Sequence, residues 1–107
     1  MGRPPRFSEP ALLVLISLLD GPRHGYAIAD DIERLTGDRP GPGSLYGAVS
    51  RLVGTGLIAE GDADGRRRPY RLTPRGMSLV RAEVATMAAV SHEAKRRLRA
   101  APQAGPA

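Results

Sequence analysis

Cysteine and tryptophan are missing from the 107 residues, lysine occurs once, at Lys95, and aromatic side chains make up only 4% of the chain. Without cysteine there is no disulfide framework, no thiolate nucleophile and no Cys-ligated zinc or iron site, and His24 and His92 are the only imidazoles. No metal or cofactor is expected. With Phe7, Tyr26, Tyr46 and Tyr70 as the only aromatics, aliphatic side chains must fill nearly all of the core. Long apolar runs are also lacking. The longest, Ala11 to Ile16, falls far short of the roughly 20 residues that cross a bilayer, and no secretory leader pattern opens the chain. A soluble, cytoplasmic protein without a membrane partner is expected. The parts of common enzyme sites are missing too: there is no strand-to-helix glycine loop with a lysine, no His-Glu-x-x-His and no base placed for a serine nucleophile. The chain reads as a non-enzyme.

What is present is a basic balance, 16 Lys and Arg against 11 Asp and Glu, for a formal charge of +5. Such a balance suits a polyanionic partner without saying which one. A length of 107 residues fits one small domain, for which oligomerisation is a natural source of further burial.

Residues 1–7 read as a flexible basic arm, with Pro4 and Pro5 refusing regular structure and Arg3 and Arg6 free to meet phosphate. Ser8 is a good N-cap for a first helix from Glu9 to Leu19, apolar nearly all the way round and so requiring cover on several sides. A second helix, Gly25 to Leu35, carries Ile28, Ile32 and Leu35 at the spacing of one inward face and Asp30, Asp31 and Glu33 outside. That acidity argues against contact between its outer face and phosphate. Turn residues 36–43 lead into a third helix, Pro42 to Val53, with Leu45, Val49 and Leu52 inward. Strand candidates Leu57 to Glu60 and Pro69 to Leu72 enclose an arginine-rich hairpin tip. Thr73 and Pro74 then cap a long helix to about Arg99, and residues 100–107 read as a disordered tail.

This order predicts a mainly α fold with a small β-hairpin: a winged helix-turn-helix over residues 8–73 plus a long C-terminal dimerisation helix over 74–99. A helix that enters the major groove needs small or polar residues outward, and the third helix offers Gly43, Ser44, Gly47, Ser50 and Arg51. Gly43 and Ser44 leave the amides of its first turn open to phosphate, and Arg66, Arg67 and Arg68 supply charge beside it. Tyr46 is placed either to contact phosphate or to pack on the first helix, Tyr26 to enter the core, and His24 to start the second helix, with a phosphate contact as its alternative. On pattern alone, a protein-interaction or RNA-binding winged helix stays open as the other reading.

Three stretches, His24-Gly25-Tyr26-Ala27-Ile28, residues 42–52 from Pro-Gly-Ser-Leu-Tyr to Arg51-Leu52, and Gly56-Leu57-Ile58 with Tyr70-Arg71-Leu72-Thr73-Pro74-Arg75-Gly76, resemble successive signatures of the PadR family of bacterial transcriptional regulators. The resemblance covers roughly residues 9–90, is specific in combination, and fits the short, single-domain branch. It implies a homodimeric repressor acting on double-stranded DNA near its own gene, with release in some members by a small planar effector, and dimerisation through the long helix helped by the first. The chain departs from the pattern at Gly41, where the family commonly has Ser or Thr. It also has no aromatic residue after Tyr70, so a flat ligand held between long-helix rings is not expected.

The spacing on the long helix predicts its own dimer seam. Met77, Val80, Val84, Met87, Ser91, Ala94 and Leu98 alternate by three and four, as a and d positions do, over about 32 Å. Leu12, Leu15 and Leu19 from the first helix are expected to add cover, while Leu79 and Val90 fall off the seam and are expected to pack on their own head. A dimer of this kind reads a palindromic operator.

Overall fold

In the computed structural model, residues 10–62, 65 and 67–102 are described. The arm at 1–7, the Ser8 cap, Arg66 and the tail at 103–107 lie outside the described residues. Helix α1, Pro10–Ser17, continues as one 3-10 turn, Leu18–Asp20. Helices α2, Gly25–Thr36, and α3, Pro42–Gly54, follow, then strands β1, Ile58–Glu60, and β2, Tyr70–Leu72, and finally α4, Pro74–Ala100. Ala100 thus belongs to the long helix rather than to the tail.

Helix α1 sits in the middle of the head. Leu12, Val14, Leu15 and Leu18 are all buried, because α3, α2 and the start of α4 cover different sides of the helix. Ile28, Ala29 and Ile32 from α2, Leu45, Val49 and Leu52 from α3, and Ile58 from β1 complete an aliphatic core. The expected inward residue Leu35 is instead 57% exposed. Its position on the helix wheel is close to that of Ile28, but residues 33–39 are all exposed, so the last turn of α2 runs past its neighbours and Ala29 fills the inward stripe in its place.

The punctuation of the chain follows local chemistry. Gly37 ends α2 in the left-handed region at φ 84°, where its N–H donates to the Glu33 carbonyl. Gly41 is the N-cap of α3, with Pro42 just inside and no side-chain acceptor. Thr73 caps α4 with a hydroxyl that accepts from the Gly76 amide at 3.1 Å and donates to the Gly56 carbonyl at 2.6 Å. Gly76 itself allows α4 to approach β1, since a Cβ there would run into the Leu57 carbonyl oxygen.

Strands β1 and β2 pair antiparallel in the register Ile58–Leu72, Ala59–Arg71, Glu60–Tyr70. A third segment joins them: the Arg23 amide donates to the Tyr70 carbonyl and the Tyr70 amide to the Arg23 carbonyl, at 3.1 and 2.9 Å. The chain just before α2 is thereby fastened to the wing. Helix α4 packs on the head through its first turns, where Gly76 and Val80 are buried, Leu79 rests against the core and Glu83 lies beside α1. Its far half is mostly exposed, and the molecule has principal extents of 58 × 29 × 27 Å.

Candidate nucleic-acid interface

Helix α3 divides into two sides. Leu45, Ala48, Val49 and Leu52 are buried, and the opposite arc carries Gly43, Ser44, Ser50 and Arg51, all exposed, with Gly47 partly exposed between them. Among the described residues, nothing outside its own helix turn and chain neighbours lies within 4 Å of where a Cβ on Gly43 would stand, so that position in the first turn of α3 is open. The Arg51 guanidinium lies along the same arc, 3.6 Å from a Cβ placed on Gly47, and has no ion-pair partner among the described residues. The arc is therefore shallow, nearly neutral at its centre and positive at one side.

Helix α2 carries the opposite charge. Arg39, in the turn, ion-pairs with Asp30 and with Glu33, and Arg34 pairs with Asp31 at 2.6 Å. Asp30 and Glu33 are exposed on the outer face expected from the sequence, but Asp31, expected beside them, has only 13% of its side chain exposed and lies near Ser17 and Arg23, between α2 and the end of α1.

Between the start of α2, α3 and the wing lies a cleft of about 240 Å³, lined by His24, Gly25, Tyr26, Tyr46, Arg67, Arg68 and Tyr70. Tyr46 packs across the start of α2. A Cβ on Gly25 would come within 2.6 Å of its hydroxyl, so glycine at the head of α2 is what lets the ring lie there. Tyr46 nevertheless keeps 48% of its surface exposed. Burial holds the Tyr70 phenol above the usual tyrosine range, Glu60 and Tyr46 push in the same direction, and Arg68 opposes them. Tyr70 therefore remains a neutral hydroxyl at ordinary pH. His24 is the N-cap of α2 without a side-chain capping bond, and its Nδ1 is buried with no hydrogen-bond partner among the described residues.

Two of the three wing arginines are described, and both fold back on the protein. Arg68 pairs with Glu60 at 3.2 Å. Arg67 places its guanidinium 4.8 Å from the centre of the Tyr26 ring and donates from Nη1 to the Tyr26 hydroxyl at 2.6 Å. Tyr26 is thus 45% exposed and not a core residue. The helix wheel already carries this result, because position 26 lies nearly opposite the Ile28 and Ile32 stripe. The Tyr26–Arg67 contact spans 41 positions, and no local spacing announces it.

The expected dimer residues separate into two groups. Leu12, Leu15 and Val80 are 5%, 2% and 2% exposed within the single chain, so they belong to the core of the head and have no surface left for a partner. The reason is the close approach at Gly76, which turns the first two turns of α4, and Val80 with them, onto α1. Leu19 remains exposed, as do Val84 and Leu98, while Met77 and Met87 are half-buried. Leu79 packs on the head, but Val90, expected to do the same, is exposed on the free part of α4. The basic end of that helix is partly neutralised by Glu93, which accepts from Arg96 at 2.6 Å and from Arg97 at 2.8 Å. Among the described residues there is no cluster of side chains suited to a metal and no helix long and apolar enough to cross a membrane.

A family model described as "Transcriptional regulator PadR-like family" matches residues 12–82. A 37.1 kDa protein in transposon Tn4556 of Streptomyces fradiae is 48% identical over 86 residues, covering 80% of this chain and 25% of that relative, so the chain spans a quarter of its length. Among solved structures, H. salinarum RosR is 29% identical with a TM-score of 0.71, over 87% of this chain and 86% of that one. A PadR-like transcriptional regulator from Bacillus cereus gives a TM-score of 0.75 at 17% identity, over 89% of this chain and 92% of that one, a likeness of fold.

Proposed function

Since the chain belongs to the PadR-like family of transcriptional regulators, which are not enzymes, we propose that it is a homodimeric cytoplasmic repressor that binds a palindromic DNA operator and is released by a small-molecule effector. The observation that carries the DNA-binding reading is the outward arc of α3, small and polar from Gly43 to Arg51, with Arg67 and Arg68 lining the cleft that Tyr46 of the same helix enters. A bulky apolar face could not approach base edges, whereas this arc can enter the major groove. In this reading Ser44 and Ser50 face bases or phosphate, Tyr46 and Arg51 meet the backbone, and Arg66, Arg67 and Arg68 touch the flanking strand. Residues 8–73 form the DNA-binding unit and α4 joins two of them.

The dimer surface in this proposal is the part of α4 beyond Val80, with Val84, Met87, Ser91, Ala94 and Leu98 as the seam and Leu19 at its edge. The exposure of Val84 at 39% and Leu98 at 74% supports a surface that a second helix would cover. The experiment is a footprint on the promoter region of the chain's own gene, followed by titration of the protected duplex against salt. With about 6 to 10 phosphates neutralised by a dimer, the log-log slope of affinity is roughly −5 to −9. A slope near zero, or tighter binding to RNA than to duplex DNA, overturns the reading.

A further inference from the structure

We propose that Tyr26 is a positioning residue for DNA binding: it holds the wing's Arg67 beside the start of α2 with its charge unspent, ready for a backbone phosphate. This rests on the DNA-binding reading above and names a residue outside the recognition helix and the wing.

Tyr26 faces away from the core, and its two ring neighbours are polar. The His24 ring lies parallel to it within 2° at 6.2 Å, and the Arg67 guanidinium lies over it. An aromatic side chain held this way contributes little to the interior; what it does is fix an arginine. The two wing arginines differ in the partner that orders them. Arg68 is paired with the carboxylate of Glu60, which cancels much of its charge at a distance. Arg67 is held by a ring face and a phenol hydroxyl, both neutral, so it is ordered without being neutralised.

Arginine carries five N–H donors, and the bond to Tyr26 uses only one side of the fork, leaving donors for phosphate oxygens. An arginine free in a hairpin tip would lose its rotamer freedom on binding, and a partner that orders it beforehand removes that cost. The backbone supports the same arrangement. The paired amides and carbonyls of Arg23 and Tyr70 fasten the base of the wing three residues before Tyr26, so both ends of the contact belong to one rigid unit.

The test is a double-mutant cycle read on duplex affinity at several salt concentrations, using wild type, Tyr26→Leu, Tyr26→Phe, Arg67→Ala and Tyr26→Leu with Arg67→Ala. Tyr26→Leu is expected to weaken binding about five-fold on specific and random duplex alike, and Tyr26→Phe, which keeps the ring, about two-fold. In the Arg67→Ala background Tyr26→Leu is expected to add nothing, because the residue it positions is gone. The melting temperature should fall by no more than a few degrees in Tyr26→Leu and by no more in the double mutant than in Arg67→Ala, since Tyr26 is 45% exposed and outside the core; a merely structural role would lower it further and the loss would persist without Arg67. In the DNA-free protein, the ring-current shift of the Arg67 side-chain protons should vanish in Tyr26→Leu. Unchanged or tighter DNA binding by Tyr26→Leu, or an equal loss with and without Arg67, refutes the proposal while leaving the DNA-binding reading intact. A wild-type chain that shows no salt-dependent duplex binding refutes that reading, and this inference with it.

Discussion

The outward arc of α3 and the far half of α4 are both exposed helix surfaces, yet they are made of different material. The arc of α3 offers Gly43, Ser44, Gly47, Ser50 and Arg51, while α4 beyond Val80 offers Val84, Val90 and Leu98 among charged residues. Small polar side chains lose little by staying in water and permit close approach to a polar surface. Branched aliphatic side chains spaced along one helix gain only when another apolar surface covers them. Exposure alone therefore says little about a partner, and the chemistry of what is exposed separates a surface suited to a polyanion from one suited to a second helix.

The sharpest way to break this comparison is to put the wrong chemistry on each face. Ser44→Glu or Gly47→Glu should lower duplex affinity by at least about a hundred-fold, since like charges brought together at an interface cost several kcal/mol. A Cβ on Gly47 meets only the end of the flexible Arg51 side chain, so circular dichroism should show an unchanged fold and light scattering an unchanged mass. Unfolding would show that these positions are structural, and undiminished binding that another element meets the DNA.

A second pair of substitutions tests where α4 changes from core to free surface. Val80→Arg should unfold the head, because a buried unpaired charge costs several kcal/mol and small domains have little stability to lose. Val84→Arg, one turn later, should leave the head folded but give a monomer, with operator affinity lower by about a hundred-fold as two half-sites cease to be held together. Thermal melts beside light scattering distinguish the two outcomes. A folded Val80→Arg protein that has merely lost its partner would return Val80 to the seam.

Replacing Arg66, Arg67 and Arg68 together with alanine should weaken specific and random duplex alike and reduce the magnitude of the salt slope by about one for each phosphate no longer neutralised. Weakening confined to the specific complex would show that the wing reads sequence. The smallest effect is expected on the acidic side of α2. Asp30→Asn with Glu33→Gln frees Arg39, and because these pairs are exposed, duplex affinity should change by less than about threefold. A large gain in affinity would place α2 against phosphate and remove the contrast between the two helices.

By itself the sequence determined the elements and their order. Helical spacing set the inward residues of α3, proline and glycine set where α2, α3 and α4 begin and end, and Thr73 followed by Pro74 announced the cap of α4. These are short-range effects, governed by rotation along one helix and by the φ preferences of single residues, so a linear pattern carries them. The tertiary structure decided which apolar faces find cover. Leu35 and Val80 have the same periodicity as their neighbours, yet the end of α2 overshoots the head and leaves Leu35 in water, while Gly76 brings the start of α4 close enough to bury Val80. It also decided that Tyr26 meets Arg67 and that Arg23 pairs with Tyr70, contacts between segments more than 40 positions apart. Such contacts depend on the relative placement of whole elements, which is fixed by how the aliphatic core fills space, and no spacing within a single segment records it.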